Sequence, residues 1–142
     1  MIIYFDMDGV LCDFKGRILE LYGTEFKSDM WMRICTDYPR IYKGLNSNPT
    51  MIGLIKELCK TNKVKILTAK PSLVNFRYCE EDKREWCKNN GLEEVEVIVC
   101  EKAMNKQNYA VYNSVPNVLI DDSERNIAQW RSKGGIGLLY NF

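Results

Sequence analysis

Hydrophobic residues fall into five short runs rich in Ile, Val and Leu, with more polar segments between them. The runs cover residues 2–5, 64–67, 95–99, 118–120 and 136–139. Each run is nearly continuous rather than alternating, which is typical of strands in a parallel sheet covered on both faces. The pattern therefore predicts five buried strands.

Three segments between the runs carry apolar residues at helical spacing: 51–60, 72–90 and 123–132. The first has Pro49 near its start, and the second ends before Gly91, a residue suited to a helix C-terminus. The third begins at an N-cap formed by Ser123 or Asp122. Strands and helices that alternate in this way predict an open α/β sheet.

One connection is longer than a direct crossover requires. About 40 residues separate the first strand from the helix near Pro49, and helix-like stretches within them cover residues 13–22 and 28–35. We expect a small helical cap over the strand ends, residues 14–48, inserted into a single domain of residues 1–142.

The chain has 142 residues, of which 46% are hydrophobic and 27% charged, the balance of one globular domain. The net charge is +1, so composition predicts neither strong nucleic-acid binding nor attraction to anionic membranes. No apolar run has the length of a membrane span. The opening Met-Ile-Ile-Tyr-Phe, followed by an acid, is unlike a signal peptide, and we expect a cytoplasmic protein.

The chain contains no histidine, which excludes Ser-His-Asp and Cys-His nucleophiles and histidine metal ligands. None of the six cysteines is followed six positions later by an arginine, the spacing that a cysteine phosphatase needs. No Cys-x-x-Cys pair is present either, so we expect free thiols rather than a zinc site or disulfides. An enzyme with this composition must rely on carboxylates.

Polar residues follow the predicted strands at their carboxyl ends, where open α/β sheets bind ligands. Carboxylates gathered at one edge repel one another, a divalent cation relieves that repulsion, and hard oxygen ligands beside a phosphate site favour magnesium. Each acid alone could simply cap a turn or a helix, so the hypothesis depends on the ordered set. In chain order the set is Asp6, Asp8, Thr68, Lys102, Lys106, Asp121 and Asp122.

Four motifs in this order resemble those of the haloacid dehalogenase superfamily. They are Asp6-Met7-Asp8-Gly9-Val10-Leu11, Thr68 in Ile66-Leu67-Thr68-Ala69-Lys70-Pro71, a lysine, and Asp121-Asp122 after Leu119-Ile120. The resemblance covers nearly the whole chain outside the insertion. It implies a Rossmann-like three-layer parallel sheet with a small helical cap after the first strand, and a first aspartate that becomes phosphorylated.

The resemblance also implies a role for each residue. Asp6 attacks phosphorus, and Asp8 first protonates the leaving oxygen and then activates water. Thr68 and a lysine bind the phosphoryl oxygens. The ligands of Mg²⁺ would be Asp6, the backbone carbonyl of Asp8, Asp121 and, nearby or through water, Asp122.

Two lysines compete for the phosphate-binding role. The stretch that begins at Lys106 resembles the lysine-bearing helix of the superfamily, so Lys106 is preferred, and Lys102, nearer the strand end, is the alternative. A receiver domain also gathers acids, a threonine and a lysine, but its paired acids come early in the chain. Dehalogenase members lack an acid at the position of Asp8, so phosphoryl transfer is favoured.

Within the superfamily the chain looks most like the 5'(3')-deoxyribonucleotidase family and its phage and bacterial relatives. The residues that carry this likeness lie at 6–14, 78–79, 82–86, 126–130 and 134–137. A short cap, and Ser123 where some relatives have a basic residue, are departures that bear on base recognition. The likeness implies a nucleoside monophosphate as substrate.

A nucleotidase needs an aromatic face for a base, and Phe14, Trp31, Tyr38 and Tyr42 are the candidates. Aromatic residues in a small insertion also commonly form its own core. The predicted substrate-binding residues are Thr68, Ala69, Lys70, Phe14, Trp31 and Lys83. The alternatives are a phosphatase for another small phosphate ester or a nucleic-acid 3'-phosphate, and a non-catalytic binding or regulatory module.

Overall fold

A computed structural model describes all residues, 1–142, and contains a parallel sheet of five strands. The strands are β1 (Ile2–Phe5), β2 (Lys63–Ala69), β3 (Glu96–Cys100), β6 (Val118–Asp121) and β7 (Ile136–Leu139), in the spatial order β3-β2-β1-β6-β7. A separate antiparallel hairpin is formed by β4 (Val111–Tyr112) and β5 (Val115–Pro116). The predicted α/β fold with a parallel sheet is confirmed, and each of the five predicted runs corresponds to one of its strands, although Val95 lies one residue before β3.

Five α-helices accompany the sheet: α1 (Phe14–Tyr22), α2 (Trp31–Asp37), α3 (Pro49–Leu58), α4 (Cys79–Asn89) and α5 (Glu124–Ser132). Three of them begin at a side chain that accepts a backbone N–H of the first turn. These N-caps are Asp13 for α1, Asn48 for α3 and Ser123 for α5. None of the helices combines the length and the apolar character needed to cross a membrane.

The predicted helix start at residue 72 is wrong, because α4 begins at Cys79. Phe76 is buried and its ring lies 6.0 Å from the rings of both Trp31 and Tyr42. This contact with a distant segment holds residues 72–78 in a non-helical path, which local apolar spacing cannot reveal.

The 14–48 segment consists of α1, α2 and two short 3₁₀ helices, Ser28–Met30 and Ile41–Gly44. Its buried residues belong to the same continuous core as those of one sheet face. The other sheet face packs against a smaller core that contains Trp130 of α5. Alternate residues of β1 separate the two layers, with Ile3 and Phe5 in the first core and Tyr4 in the second.

The position of β1 decides which side chains meet at the sheet edge. Its neighbours are β2 on one side and β6 on the other, with Phe5 in register with Ile66 and with Ile120. The Asp6 backbone N–H, one residue further along, donates to the carbonyl of Ile120 at 2.9 Å. The chain order reverses at this point of the sheet, and such switch points are where open α/β sheets bind ligands.

Candidate active site

Two strand ends and one 3₁₀ helix form a buried ion cluster. The Lys106 ammonium donates to Asp6 Oδ1 at 2.7 Å and to Asp121 Oδ2 at 2.9 Å. Lys106 lies in the 3₁₀ helix Ala103–Tyr109, and it is 3% exposed, whereas Asp121 is fully buried. We call these three residues the Lys106 cluster.

The carboxylates and the ammonium of this cluster shift each other's pKa values. Burial raises the pKa of Asp6 well above its ordinary value, Asp121 raises it further, and Lys106 opposes both effects. For Lys106, burial alone would lower the pKa, but the charges of Asp6 and Asp121 outweigh it and the net shift is upward. The lysine therefore stays charged and offsets part of the carboxylate repulsion.

Asp122 adds a further carboxylate at the edge of the cluster. Burial and the charge of Asp121 raise the pKa of Asp122 to about 6, while exposed Lys15, whose ammonium lies 3.9 Å from Asp122 Oδ2, opposes the shift. Gly9 leaves the space that the Asp122 carboxylate occupies, since a Cβ at Gly9 would overlap with it. The positive φ of Gly9, 77°, also suits a glycine.

The donor set of this edge fits a hard divalent cation. Carboxylate oxygens of Asp6, Asp121 and Asp122 lie within 4.8 Å of one another. Mg²⁺ prefers such oxygen ligands. Lys106 is the only buried ammonium in contact with Asp6 and Asp121, so negative charge remains in excess for a cation to balance.

A second buried lysine organises the residues on the other side of Asp6. The Lys83 ammonium, fully buried on α4, donates to Thr68 Oγ1 at 2.7 Å and to the Ala69 carbonyl at 2.8 Å. It also lies 3.4 Å from Asp8 Oδ2, which accepts a hydrogen bond from the Tyr42 hydroxyl at 2.8 Å. We call Asp8, Tyr42, Thr68, Ala69 and Lys83 the Lys83 cluster.

A cavity of about 420 Å³ opens in front of both clusters. Its floor includes Asp6, Asp8 and Thr68, together with Lys106 and Asp122. One wall is aromatic and is built from the 14–48 segment by Phe14, Phe26 and Trp31. The volume falls within the range of small-molecule sites, which combine an apolar wall with a few polar groups.

Most of the predicted site residues come together here. Of the six proposed for substrate binding, Phe14, Trp31, Thr68 and Ala69 line the cavity. Lys70 lines a neighbouring cavity instead and pairs with Glu101 at 2.7 Å. Lys83 does not line the main cavity, because its ammonium is directed toward groups of the protein. Substrate contact by any of the six stays a prediction.

The two lysines that are candidates for phosphate binding lie in different places. Lys106 contacts Asp6 directly, whereas exposed Lys102 lines the neighbouring cavity with Lys70. Among the aromatic candidates, Tyr42 does not line the cavity but stacks on Phe14, and Tyr38 lines a separate cavity with Arg17.

Several residues of the site were not singled out from the sequence. Lys15 and Phe26 line the cavity, and Asn126 donates to Asp121 Oδ2 at 3.1 Å. The bond between Tyr42 and Asp8 joins positions 34 residues apart. No local pattern could reveal these contacts. The one available signal is the position of Asn126 in the first turn of α5, three residues after the N-cap Ser123 and close in sequence to Asp121.

Comparison with known proteins gives a fold likeness and no sequence match. No family model matches the chain, and neither does any curated protein sequence. A haloacid dehalogenase-like family hydrolase from Streptococcus pneumoniae is similar in structure, with a TM-score of 0.62 and 15% identity over 97% of this chain and 83% of that one. A hydrolase from Pseudomonas syringae has a TM-score of 0.55 and 12% identity, over 98% and 84% of the two chains.

These likenesses cover nearly the whole chain and include the sheet and its helices. They support the haloacid dehalogenase-like fold that the four motifs imply. At such low identity they establish the fold alone, and the chemistry has to be argued from the residues at the strand ends.

Proposed function

We propose that the protein is a magnesium-dependent phosphomonoester hydrolase that forms an aspartyl-phosphate on Asp6. The observation that carries this proposal is the position of Lys106, bonded to both Asp6 and Asp121 at the floor of a cavity that Asp8 and Thr68 share. The two structural neighbours named as hydrolases are consistent with it.

In the first step a carboxylate oxygen of Asp6 forms a bond to phosphorus, and the bond between phosphorus and the ester oxygen breaks. The electron pair of that bond goes to the leaving oxygen, which takes a proton from Asp8 and departs as an alcohol. Lys106 and the Thr68 hydroxyl stabilise the negative charge that spreads over the phosphoryl oxygens.

In the second step water attacks the phosphorus of the aspartyl-phosphate. Asp8, now ionised, accepts a proton from that water, and the bond from phosphorus to the Asp6 oxygen breaks. Inorganic phosphate is released, and both carboxyl groups return to their starting protonation states. The net reaction consumes one water for each ester hydrolysed.

The residues that would hold Mg²⁺ are Asp6, the backbone carbonyl of Asp8, Asp121 and Asp122. Three of these supply carboxylate oxygens that lie within 4.8 Å of one another. When bound, the ion supplies positive charge that neutralises the carboxylates and the phosphoryl group. Lys106 holds one oxygen each of Asp6 and Asp121 in the structure, which orients both carboxylates.

For the substrate we propose a nucleoside monophosphate, as in the 5'(3')-deoxyribonucleotidase family. The aromatic wall of Phe14, Phe26 and Trp31 supports this, because a base can stack on an aromatic face. Exposed Lys15 at the cavity edge adds positive charge that suits an anionic substrate. A location in the cytoplasm remains a prediction from the sequence.

The reaction is tested with p-nitrophenyl phosphate in the presence and absence of Mg²⁺. We expect Asp6→Asn to lower kcat/KM by about 10³-fold or more, because no other group can accept the phosphoryl bond. Asp29→Asn, which changes an exposed acid of the 14–48 segment, is the matched control and should behave as wild type. Equal activity of Asp6→Asn and wild type would refute the proposal.

The substrate is tested with nucleoside 5'- and 3'-monophosphates, ribo and deoxy, beside sugar phosphates and a 3'-phosphorylated oligonucleotide. The proposal predicts the highest kcat/KM for a nucleoside monophosphate, and a larger loss on that substrate than on a sugar phosphate for Trp31→Ala. Uniform slow turnover of all esters would argue against a nucleotidase. Preference for the oligonucleotide would favour the 3'-end alternative.

A further inference from the structure

The Lys83 ammonium has three protons to donate and no lone pair to accept with. Three acceptors surround it: Thr68 Oγ1 at 2.7 Å, the Ala69 carbonyl at 2.8 Å and Asp8 Oδ2 at 3.4 Å. Lys83 is fully buried, so no water competes for these protons. Its donor capacity is therefore used within the protein, and none is left for a ligand in the cavity.

This arrangement has a consequence for the hydroxyl proton of Thr68. Because Lys83 can only donate, the oxygen of Thr68 is the acceptor in their bond, and the threonine proton must be directed elsewhere. Thr68 is 1% exposed, and its exposed part faces the cavity beside Asp6. Lys83 thus leaves the Thr68 hydroxyl available as a donor to an anionic oxygen in front of Asp6.

The two oxygens of Asp8 are held differently. Oδ2 accepts the short bond from the Tyr42 hydroxyl at 2.8 Å and lies near the Lys83 ammonium. Oδ1 has only the weak thiol donor of Cys12, at 3.5 Å. Anchoring at Oδ2 therefore sets the rotation of the carboxyl group and leaves Oδ1 as the oxygen that can carry a mobile proton.

Packing fixes Tyr42 itself, which is 1% exposed. Its ring stacks on Phe14, with ring centroids 5.5 Å apart and planes 12° from parallel, and the Lys83 ammonium lies 4.7 Å from its centroid. A bidentate pair between Arg40 and Asp82, at 2.8 and 2.7 Å, ties the chain next to Tyr42 to the residue before Lys83. The two anchors of Asp8 are thus held together.

We propose that Tyr42 and Lys83 are positioning residues: together they orient Asp8 for proton transfer through Oδ1, and Lys83 directs the Thr68 hydroxyl toward the phosphoryl group. This inference rests on the proposed phosphatase function. It makes the 14–48 segment, through Tyr42, a part of the acid–base machinery as well as a wall of the cavity.

The first half of the proposal, that Asp8 is oriented by its neighbours (the Asp8 half), is tested with Tyr42→Phe, which keeps the aromatic stack and removes one hydroxyl. A misplaced acid affects poor leaving groups most, since p-nitrophenolate departs without a proton. We expect kcat/KM to fall by about 100-fold for an alkyl phosphate and by less than about 3-fold for p-nitrophenyl phosphate. Tyr22→Phe is the matched control, because its hydroxyl also donates to an aspartate, Asp37, at 3.1 Å but lies on the exposed surface.

An equal loss on both esters, or no loss, would overturn the Asp8 half of the proposal. A merely structural role of Tyr42 changes both esters alike, because it alters the amount of folded enzyme rather than the dependence on the leaving group. Thermal melts of Tyr42→Phe and Tyr22→Phe measure that structural contribution separately.

The second half of the proposal, that Lys83 directs the Thr68 hydroxyl (the Thr68 half), is tested through binding of inorganic phosphate, which requires no turnover. Calorimetry with Mg²⁺ present would compare wild type, Lys83→Met, Thr68→Val and the double variant. Each single change should weaken binding by about 10-fold, and the double variant should be no weaker than either one, because Lys83 acts through Thr68. Additive losses would mean that Lys83 acts by charge alone and would overturn this half.

Lys65→Met is the control for Lys83→Met. Lys65 lies on β2, the same strand as Thr68, and pairs with Glu96 at 2.7 Å, but it does not line the main cavity. If Lys83→Met does not fold, Tyr42→Phe still decides the Asp8 half. Failure of the phosphatase proposal has a separate signature, namely wild-type protein that hydrolyses no phosphomonoester.

Discussion

Two buried lysines lie on either side of Asp6 and have different surroundings. Lys106 contacts two buried carboxylates, both within 3 Å, whereas Lys83 contacts a hydroxyl and a carbonyl at that range and its nearest carboxylate lies at 3.4 Å. Burial acts to lower the pKa of both, and acidic neighbours reverse the shift in each case. Each ammonium is therefore charged in the folded protein.

The difference lies in what each charge does for its neighbours. Lys106 offsets repulsion between Asp6 and Asp121, which would otherwise be costly because both carboxylates are buried. Lys83 has one carboxylate partner, Asp8 at 3.4 Å, and its two shorter bonds fix which way the Thr68 hydroxyl and the nearby oxygens face. Removing the first should change electrostatics, and removing the second should change geometry.

The largest effect is expected for Lys106→Met. Loss of the ammonium leaves Asp6 and Asp121 without their partner and takes positive charge from the phosphoryl group. We expect kcat/KM for p-nitrophenyl phosphate to fall by about 10³-fold. Lys102→Met is the matched control and should stay within about 2-fold of wild type, because Lys102 is exposed and lines a different cavity. The opposite ranking would assign the role to Lys102.

A smaller effect is expected for Gly9→Ala, which disturbs only the edge of the Lys106 cluster. The new Cβ would overlap with the Asp122 carboxylate, so Asp122 must move. Gly23→Ala is the control, because Gly23 has a similar φ, 70° against 77°, with no atom near its Cβ position. Both variants carry backbone strain, and only Gly9→Ala should weaken Mg²⁺ binding, by about 10-fold in a calorimetric titration. Equal Mg²⁺ affinity of the two variants would count against Asp122 in the metal site.

Thermal stability should distinguish the two lysines more finely. Mg²⁺ at 100 times its Kd stabilises a folded protein by about 2.7 kcal/mol. The gain in Tm on adding a fixed Mg²⁺ concentration should be larger in Lys106→Met than in wild type, because the ion then replaces the missing charge. In Lys83→Met it should match wild type. Equal gains in the two variants would remove the electrostatic distinction between the clusters.

The smallest effect concerns Cys79 and Cys87, two thiols that lie on α4 together with Lys83. Burial raises the pKa of Cys79 to about 11 and of Cys87 to about 12, and in both cases the charge of Lys83 opposes the shift. Only thiolate reacts with iodoacetamide, so native protein at pH 8 should be modified at exposed Cys59 and not at these two. Peptide mapping after alkylation checks this. Labelling of Cys79 at pH 8 would show that the region around Lys83 opens in solution.

The sheet and its edge could be predicted from the sequence to a large extent. Apolar runs correspond to the five parallel strands, and the acids and Thr68 lie in the last residues of those strands or just after them, where the parallel arrangement gathers them. The helix at residue 72 was predicted wrongly, because Phe76 packs against a segment more than 30 residues away in the chain. Local spacing cannot report such a contact.

The candidate site was predictable only in part, for a similar reason. Asp6, Asp8 and Asp121 are recognisable from their positions at strand ends. Lys83 has the sequence context of a surface lysine on a polar helix, and only the packing of α4 against the 14–48 segment buries its ammonium. The contact between Tyr42 and Asp8 likewise depends on how that segment folds back over the sheet.

Local patterns in the sequence are sufficient to predict a parallel α/β sheet and the types of residue at its strand ends, because strand periodicity and strand-end position are local properties of the chain. The folded structure alone establishes which lysine contacts Asp6, which one contacts Thr68, and that the Tyr42 hydroxyl donates to Asp8. These contacts join residues from 15 to 100 positions apart. Their geometry follows from the packing of whole elements, which no short stretch of sequence encodes.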